Sequence, residues 1–300
     1  LKGAALRPST SRSRWAPLPE RALGPGNPPA RTSAEAPSFL GLGIMLDAKG
    51  TIVTDSTALG DYADAVLQLS DGTRVRAFVT TRAGGVSEGE HASMNLGLSS
   101  GDRAEHVERN RAIVRAELPA DPRYMRQVHG IDVADIDALA PHATVTADGA
   151  VTGSRGNVAT VLTADCMPLL LADRAGTRVA AVHAGWRGMA AGVIESAVDA
   201  MRVDAESVLA WMGPTIGPDA FEVGPEVRAA FMARDARAGE AFRAHTPGKY
   251  MADLYRLARQ RLAARGVREV FGGGFCTWHE RDRFFSYRRV RKSGRMGAFI

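Results

Sequence analysis

Residues 158–201 read VATVLTADCMPLLLADRAGTRVAAVHAGWRGMAAGVIESAVDAM, and this stretch decides the fold. Its short apolar runs, bounded by polar turns, are typical of buried strands. We predict three of them, at Val158–Thr163, Leu169–Ala172 and Arg178–His183. Behind His183 the apolar residues recur at intervals of three and four, so an amphipathic helix should run from Gly185 to about Met201.

The flanking segments continue this mixture of strands and helices. Two hairpins are predicted, Gly43–Leu46 with Thr51–Val53 and Ala65–Leu69 with Val75–Thr81, and further strands at Val208–Met212, Val267–Phe271, Phe284–Tyr287 and Met296–Phe299. Helices are predicted at Ala104–Leu118, from Pro225 onward, and at Tyr250–Arg265 with Gly266 as its C-terminal glycine. Since no internal repeat or second linker interrupts the pattern, it favours a single compact α+β domain.

The positive charge of the chain is concentrated at one end. The net charge is +5 and the pI about 9.5, values that would ordinarily raise nucleic acid as a partner. Residues 1–40 hold six basic and two acidic residues and seven of the 15 prolines, so this segment alone carries +4. We therefore predict a disordered Pro/Arg-rich extension over 1–40, a catalytic domain over 41–300, and no nucleic-acid partner.

Other classes of protein are excluded by composition and by missing motifs. Two cysteines cannot form a disulfide scaffold, which indicates a reducing compartment. The longest apolar stretch, Val158–Ala172, contains Asp165 and Pro168 and is too short to span a membrane. Neither GxxxxGK[ST] nor GxSxG occurs. We expect a cytoplasmic enzyme with no membrane partner.

Three potential metal ligands follow or end predicted strands: His129, Cys166 and His183. Two imidazoles and a thiolate suit Zn²⁺ better than copper here, and three protein ligands leave one position open for water or substrate. Spacings of 37 and 17 residues are not a local zinc-finger pattern, so spacing alone is weak support. Glycines beside the histidines would let the backbone approach a ligand, and Arg187 in the next helical turn could attract an anion.

Eight motifs in order carry a family resemblance. They are TTRAGGVS (80–87), SMNLG (93–97), EHVERN (105–110), QVHG (127–130), TADC (163–166), HAGWRG (183–188), GPTIGP (213–218) and FSYRR (285–289). From about Val75 to Ile300 the chain resembles the YfiH family. That family is variously labelled purine nucleoside phosphorylase, multicopper polyphenol oxidase (laccase) and peptidoglycan editing factor.

The resemblance implies a fold, a metal and a reaction. The fold would be a compact α+β domain of the cysteine-hydrolase-like superfamily, with mixed sheets packed between helices. The zinc ligands would be His129, Cys166 and His183. The reaction would be cleavage of adenosine, inosine, guanosine or methylthioadenosine by phosphate, with adenosine deamination as a second activity.

Roles for further residues follow from what these two reactions need. Deamination requires an activated water, so Asp165 is a candidate proton carrier, with orientation of a neighbour or of the turn as the equal alternative. Phosphorolysis requires a bound dianion, for which Arg82, Arg187 and Arg288 are candidates. Asn95 is a candidate contact to a hydroxyl or to the base. Cys166, Asp165 and Arg187 make up the predicted catalytic group.

Three alternatives differ in what they require of the ligand set. Cys166 could be a nucleophile with His183 or His129 as its base, in an amide hydrolase that edits peptidoglycan precursors. A copper polyphenol oxidase needs several coppers, whereas the sequence offers one such Cys with two His and no tandem HxH pattern. A structural metal site in a non-enzyme would need a fourth ligand, and only three are convincing.

Overall fold

The apolar runs around residues 158–184 become inner strands of two stacked sheets in the structure, which is a computed structural model. It describes residues 41–46, 52–54, 65–68, 74–140 and 143–300. The disordered extension predicted for residues 1–40 and the turn predicted at Lys49 and Gly50 lie outside these ranges.

Sixteen strands and five α-helices occur in the described ranges. The strands are β1 (Gly41–Leu46), β2 (Ile52–Thr54), β3 (Ala65–Gln68), β4 (Arg74–Thr80), β5 (Pro122–Arg123), β6 (Val133–Asp135), β7 (Gly149–Thr152), β8 (Val158–Thr163), β9 (Met167–Asp173), β10 (Val179–Ala184), β11 (Val208–Met212), β12 (Glu222–Val223), β13 (Phe242–Ala244), β14 (Tyr250–Ala252), β15 (Glu269–Gly272) and β16 (Met296–Phe299). The helices are α1 (Ala104–Arg115), α2 (Trp186–Ala191), α3 (Val193–Met201), α4 (Pro225–Met232) and α5 (Leu254–Ala264).

The strands form two large mixed sheets and a small one. The seven-stranded sheet has the order β2-β1-β3-β4-β16-β8-β5, and the six-stranded sheet has the order β15-β11-β9-β10-β7-β6. Strands β12, β14 and β13 make a separate three-stranded sheet. Consecutive strands β8 and β9 belong to different large sheets, so residues 164–166 carry the chain from one sheet to the other.

Successive side chains of β9 point to opposite faces of its sheet and pack into two different apolar clusters. Leu169 and Leu171 pack into a cluster with apolar residues of α3, α4 and α5, whereas Leu170 and Ala172 face the seven-stranded sheet. On the far side of that sheet, Val114 of α1 lies in a third cluster with Phe78 and Phe299. The molecule is therefore a mixed α+β domain of four layers, with the two sheets packed between helices.

Many predicted elements are confirmed. β8, β11 and β16 have the predicted bounds, and both predicted hairpins pair as antiparallel strands, β1 with β2 and β3 with β4. Pro225 opens α4, and Gly266 follows α5 in the left-handed conformation with φ of 87°. At Pro225 and Gly266 the residue type itself determines the backbone conformation, because proline fixes φ and glycine readily adopts a positive φ.

Three predictions of element type were wrong. The helix expected over Gly185–Met201 is divided into α2 and α3 by Gly192, whose φ of 117° is incompatible with a continuous helix. The helix expected from Tyr250 starts only at Leu254, after β14, because the Asp253 side chain accepts a hydrogen bond from the backbone N–H of Arg256 and caps it. The strand expected at Phe284–Tyr287 is absent: 284–286 have no regular structure and a turn follows at 287–289, with Val290 N–H donating to the Ser286 carbonyl.

The sheet topology brings distant segments of the chain to one edge. β10 pairs with β9 so that His183 lies opposite Pro168, next to the 164–166 crossing. β16 pairs with β8 so that Met296 lies opposite Thr163, on the other side of that crossing. No helix in the described ranges is long and apolar enough to cross a membrane.

Candidate metal centre

The three predicted ligands come together at this edge. The ligand atoms of His129, Cys166 and His183 all lie within 4.8 Å of one another, and no other group of this kind occurs in the part of the chain that the structure describes. Cys166 Sγ is 3.7 Å from His129 Nε2. His183 is buried, Cys166 half-buried and His129 exposed, so the cluster faces solvent on the His129 side.

Two of the loops that present these ligands have unusual backbones. His129 has a φ of 61° and Asp165 a φ of 84°, in the left-handed region that non-glycine residues rarely adopt. Such conformations persist only where surrounding bonds hold them, and they concentrate at functional sites. In both loops a buried carboxylate makes these bonds.

Asp148 holds the His129 loop and His183 together. It precedes β7, and its side chain is fully buried between the sheets. Its carboxylate accepts hydrogen bonds from the backbone N–H groups of Val128 (3.0 Å), His129 (2.9 Å) and Gly130 (2.7 Å). It also lies 2.8 Å from His183 Nδ1. Because a carboxylate only accepts, Nδ1 carries the proton and Nε2 of His183 is left free to bind a metal.

Sequence reasoning did not find Asp148. The available signal was an acidic residue directly before the apolar run Gly149–Val151, which becomes a buried strand. A charge at that position requires partners, and these partners lie far away in sequence.

The charges in the cluster change one another's pKa. Burial alone would raise the pKa of Asp148, but the hydrogen bonds from His183 and from the backbone of Val128 and Gly130 outweigh it, and the pKa is lowered. Burial also opposes ionisation of Cys166 and His183. Their mutual attraction prevails in the metal-free protein, lowering the pKa of the thiol and raising that of the imidazole.

The donor set and its surroundings fit a zinc ion. Two imidazole nitrogens and a thiolate are zinc ligands, and the Asp148–His183 pair is the usual support for a metal-bound histidine. Gly185 leaves room at the cluster, since a Cβ there would lie 2.8 Å from Cys166 Sγ and 3.0 Å from His129 Cδ2. At Gly188 a Cβ would lie 2.7 Å from the Gly130 carbonyl oxygen. Both glycines of the HAGWRG motif are thus required by close approach to the ligand loops.

Asp165 ties the Cys166 loop to the C-terminal segment. Its carboxylate accepts hydrogen bonds from Thr277 Oγ1 and the backbone N–H of Arg288, each at 2.6 Å. Its main-chain carbonyl accepts from the Ile216 N–H at 3.0 Å. These bonds favour the orienting role among the two expected for Asp165, because both carboxylate oxygens already have donors.

Two of the predicted phosphate-binding arginines donate side-chain hydrogen bonds to main-chain carbonyls. Arg82 Nε donates to the Ala92 carbonyl at 2.9 Å and Nη1 to the Arg281 carbonyl at 3.0 Å. Arg288 is exposed, and its Nη1 donates to the Glu222 carbonyl at 3.0 Å. Each guanidinium therefore spends part of its hydrogen-bonding capacity on main-chain carbonyls.

Arg187 and Asn95 lie in contrasting surroundings. The Arg187 side chain is exposed at the first turn of α2, with its guanidinium 4.5 Å from the centre of the Trp186 ring. Asn95 is fully buried, and its amide nitrogen donates to Ser100 Oγ (2.8 Å) and Asp102 Oδ2 (2.9 Å). A substrate contact by Asn95 would require these bonds to break.

The chain matches one protein family model and is similar to curated proteins. The family model described as multi-copper polyphenol oxidoreductase laccase matches residues 76–300. The Escherichia coli (strain K12) protein named purine nucleoside phosphorylase YfiH is 52% identical over 228 residues, which cover 75% of this chain and 93% of that protein. A Haemophilus influenzae protein named purine nucleoside phosphorylase is 40% identical over 230 residues, covering 75% and 93%.

Solved structures share the fold. Neisseria meningitidis protein NMB0706, described as belonging to DUF152, aligns with a TM-score of 0.72 at 46% identity, covering 75% of this chain and 92% of that one. YlmD from Geobacillus stearothermophilus aligns with a TM-score of 0.67 at 30% identity, covering 74% and 90%.

Proposed function

The chain belongs to the multi-copper polyphenol oxidoreductase laccase family, which includes YfiH, and from this premise we propose that it is a zinc-dependent purine nucleoside phosphorylase. Two curated relatives that are 52% identical to this chain are named purine nucleoside phosphorylase YfiH. The observation that carries the proposal is the solvent-facing cluster of His129, Cys166 and His183, with the His183 tautomer fixed by Asp148. Residues 41–300 are proposed as the catalytic domain.

The substrates are a purine nucleoside and phosphate. We propose adenosine, inosine, guanosine and methylthioadenosine as nucleosides, each giving a free base and the 1-phosphate of its own sugar, ribose or methylthioribose. A bound zinc ion supplies a Lewis acid and lowers the pKa of a coordinated water, which would also allow adenosine deamination as a second activity.

The residues of this chain prepare the site for that chemistry. Asp148 keeps the proton of His183 on Nδ1, so that Nε2 stays available as a ligand. Asp165 orients the loop that presents Cys166. Arg187, exposed beside the ligand loop, attracts the phosphate dianion, and Arg82 and Arg288 extend the positive surface around it.

One experiment tests the proposal directly. Zinc content is measured by elemental analysis, and base release from inosine is followed by chromatography with and without phosphate. We expect about one zinc per chain and base release that requires phosphate. Base release that does not depend on phosphate would contradict the proposal.

A second function is favoured by the contact between Cys166 and His129. The 3.7 Å approach and the lowered pKa of the thiol are also what a cysteine hydrolase needs. In that case the fold would belong with the cysteine-hydrolase-like proteins, and the substrate would be an amide in a peptidoglycan precursor. Metal-free protein that stays active, and that alkylation of Cys166 inactivates, would select this alternative.

A copper polyphenol oxidase is the third candidate, and the family's description favours it. Such oxidases use several coppers, whereas one His/Cys ligand group occurs in the described ranges. Copper content and the oxidation of a phenol are measured on the same preparation as the zinc analysis. The results decide between the two metals.

The two cysteines indicate where the enzyme acts. Both Cys166 and Cys276 are free thiols. Because an unpaired thiolate ligand persists best under reducing conditions, we propose the cytoplasm as its compartment.

A further inference from the structure

Arg295 lies beside the candidate metal centre although sequence reasoning did not single it out. It directly precedes β16, where Met296 pairs with Thr163. Continuing that antiparallel register by one residue places Arg295 opposite Ala164, two residues before Cys166. Burial lowers the pKa of its guanidinium, and electrostatic attraction to Cys166, Tyr287 and Asp165 opposes this effect.

The position of Arg295 is fixed from three sides. Its backbone N–H donates to Asn95 Oδ1 at 2.9 Å, and its Nη1 donates to the carbonyls of Ser293 (2.5 Å) and Gly294 (3.1 Å). The stem packs against Gly97, where an added Cβ would lie 2.6 Å from Arg295 Cγ. Such bonds hold the guanidinium in place before any ligand arrives, which lowers the entropic cost of binding.

Among the described residues, no carboxylate forms an ion pair with this fixed cation. Within the described ranges no carboxylate oxygen lies within 4.0 Å of the Arg295 guanidinium, and only Nη1 has a hydrogen-bond partner there. The side chain is half-buried, and burial lowers its pKa. A partly desolvated guanidinium without a paired carboxylate is costly, so the site is poised for an anion.

We propose that Arg295 binds the phosphate co-substrate at the metal centre, an inference that rests on the proposed phosphorylase function. Its Nε and Nη2 form one edge of the guanidinium fork, and such an edge matches two oxygens of a phosphate. Arg82 and Arg288 each use part of their guanidinium on carbonyls, and Arg187 is exposed on the neighbouring helix. The dianion would therefore sit between Arg295 and the ligand cluster.

The test compares Arg295→Gln and Arg295→Lys with Arg291→Gln. Arg291 is a matched control because its guanidinium lies 5.0 Å from the Tyr287 ring centre, as that of Arg295 lies 5.6 Å away, but its side chain is exposed. We expect Arg295→Gln to raise the KM for phosphate at least tenfold while the KM for inosine changes less than threefold. Arg295→Lys should recover part of the loss, and Arg291→Gln should resemble the unmodified protein.

A second variant perturbs Arg295 without removing its charge. Gly97→Ala displaces the stem of Arg295 and should raise the KM for phosphate in the same direction. Unfolding temperatures of all variants are compared with that of the unmodified protein, so that a folding defect is recognised. An unchanged KM for phosphate in Arg295→Gln would overturn the inference while leaving the proposed function intact.

Direct binding separates this inference from the proposed function. Titration calorimetry with inorganic phosphate should show binding to the unmodified, zinc-loaded protein and at least tenfold weaker binding to Arg295→Gln. If phosphorolysis is absent but this difference holds, the phosphate site stands and the proposed reaction fails. If the unmodified protein binds no phosphate, the Arg295 site is refuted.

Discussion

At the scale of single residues, Asp148 connects parts of the site that are far apart in the chain. One carboxylate fixes the backbone of residues 128–130 and the tautomer of His183. Removing its charge while keeping its shape would leave the ligands present but poorly oriented.

Asp148→Asn should therefore weaken zinc binding by about 10- to 100-fold, because second-sphere carboxylates contribute this much to metal affinity. Competition with a chromophoric chelator measures the effect. Asp173→Asn is the matched control, since Asp173 is also buried and binds the backbone N–H groups of Thr177 and Arg178 at the far end of the same sheet. Equal losses in both variants would mean that the effect is general destabilisation.

The thiol of Cys166 gives a second prediction, which concerns pH. In zinc-free protein its lowered pKa stabilises the fold above the ordinary thiol pKa of about 9, and this contribution is lost as the pH falls through the lowered value. The raised pKa of His183 also stabilises the fold. This contribution is complete below about pH 6.5 and is lost as the pH rises through the raised value. The thiolate–imidazolium pair therefore occupies the interval between the two shifted values.

Iodoacetamide should accordingly alkylate Cys166 of chelator-treated protein at pH 7 much faster than Cys276, with an inflection well below pH 9. Peptide mapping by mass spectrometry follows both thiols in one sample. Zinc should protect Cys166 and leave Cys276 unaffected. Equal rates for the two cysteines would show that the thiol is not activated.

The ligand trio could be predicted because His129, Cys166 and His183 are soft-metal ligands that also lie in motifs shared with a known family. The supporting contacts could not. Asp148 lies 35 residues from His183, and Asp165 bonds to groups 112 and 123 residues away. Likewise, the sequence shows that Arg82 is basic but not that two carbonyls occupy its guanidinium.

At the scale of secondary-structure elements, α2 and the His129 loop pack through glycine. The missing Cβ of Gly188 allows the Gly130 carbonyl to approach the helix. Since the neighbouring atom belongs to the backbone, a side chain there would push the loop away as a unit.

Gly188→Ala should therefore reduce zinc affinity and lower the free energy of unfolding by about 1–3 kcal/mol, a typical cost of overpacking. Denaturant unfolding and chelator competition measure the two effects. Gly239→Ala serves as control, because a Cβ there would meet only ordinary contacts at 3.5 Å. Unchanged zinc affinity in Gly188→Ala would contradict the proposed packing role.

Elements were predictable where local chemistry decides them, and not where distant contacts do. Strand β11 and the start of α4 at Pro225 follow from apolar patterning and from proline geometry. The irregular segment at 284–286 and the turn at 287–289 do not, because Asp165 and the Thr277 carbonyl hold Arg288 and Arg289 from other parts of the fold. An apolar run alone does not distinguish such turns from a strand.

At the scale of the whole molecule, the apolar run Leu169–Ala172 predicted a buried strand, and the structure buries it on both faces. The pairing of strands within the seven-stranded sheet depends on contacts far apart in sequence, such as β16 against β4 and β8. These long-range pairings are what a single sequence specifies least directly.

The crossing at residues 164–166 connects the two large sheets, so it is a point at which they could move relative to each other. Cys166 lies on the crossing and His183 on the six-stranded sheet, so a bound zinc ion restrains the junction at which the two sheets could separate. Amide hydrogens of β8 and β9 should then exchange with deuterium more slowly when zinc is added, and to a similar degree. Slower exchange in β9 alone would show that the two sheets open independently.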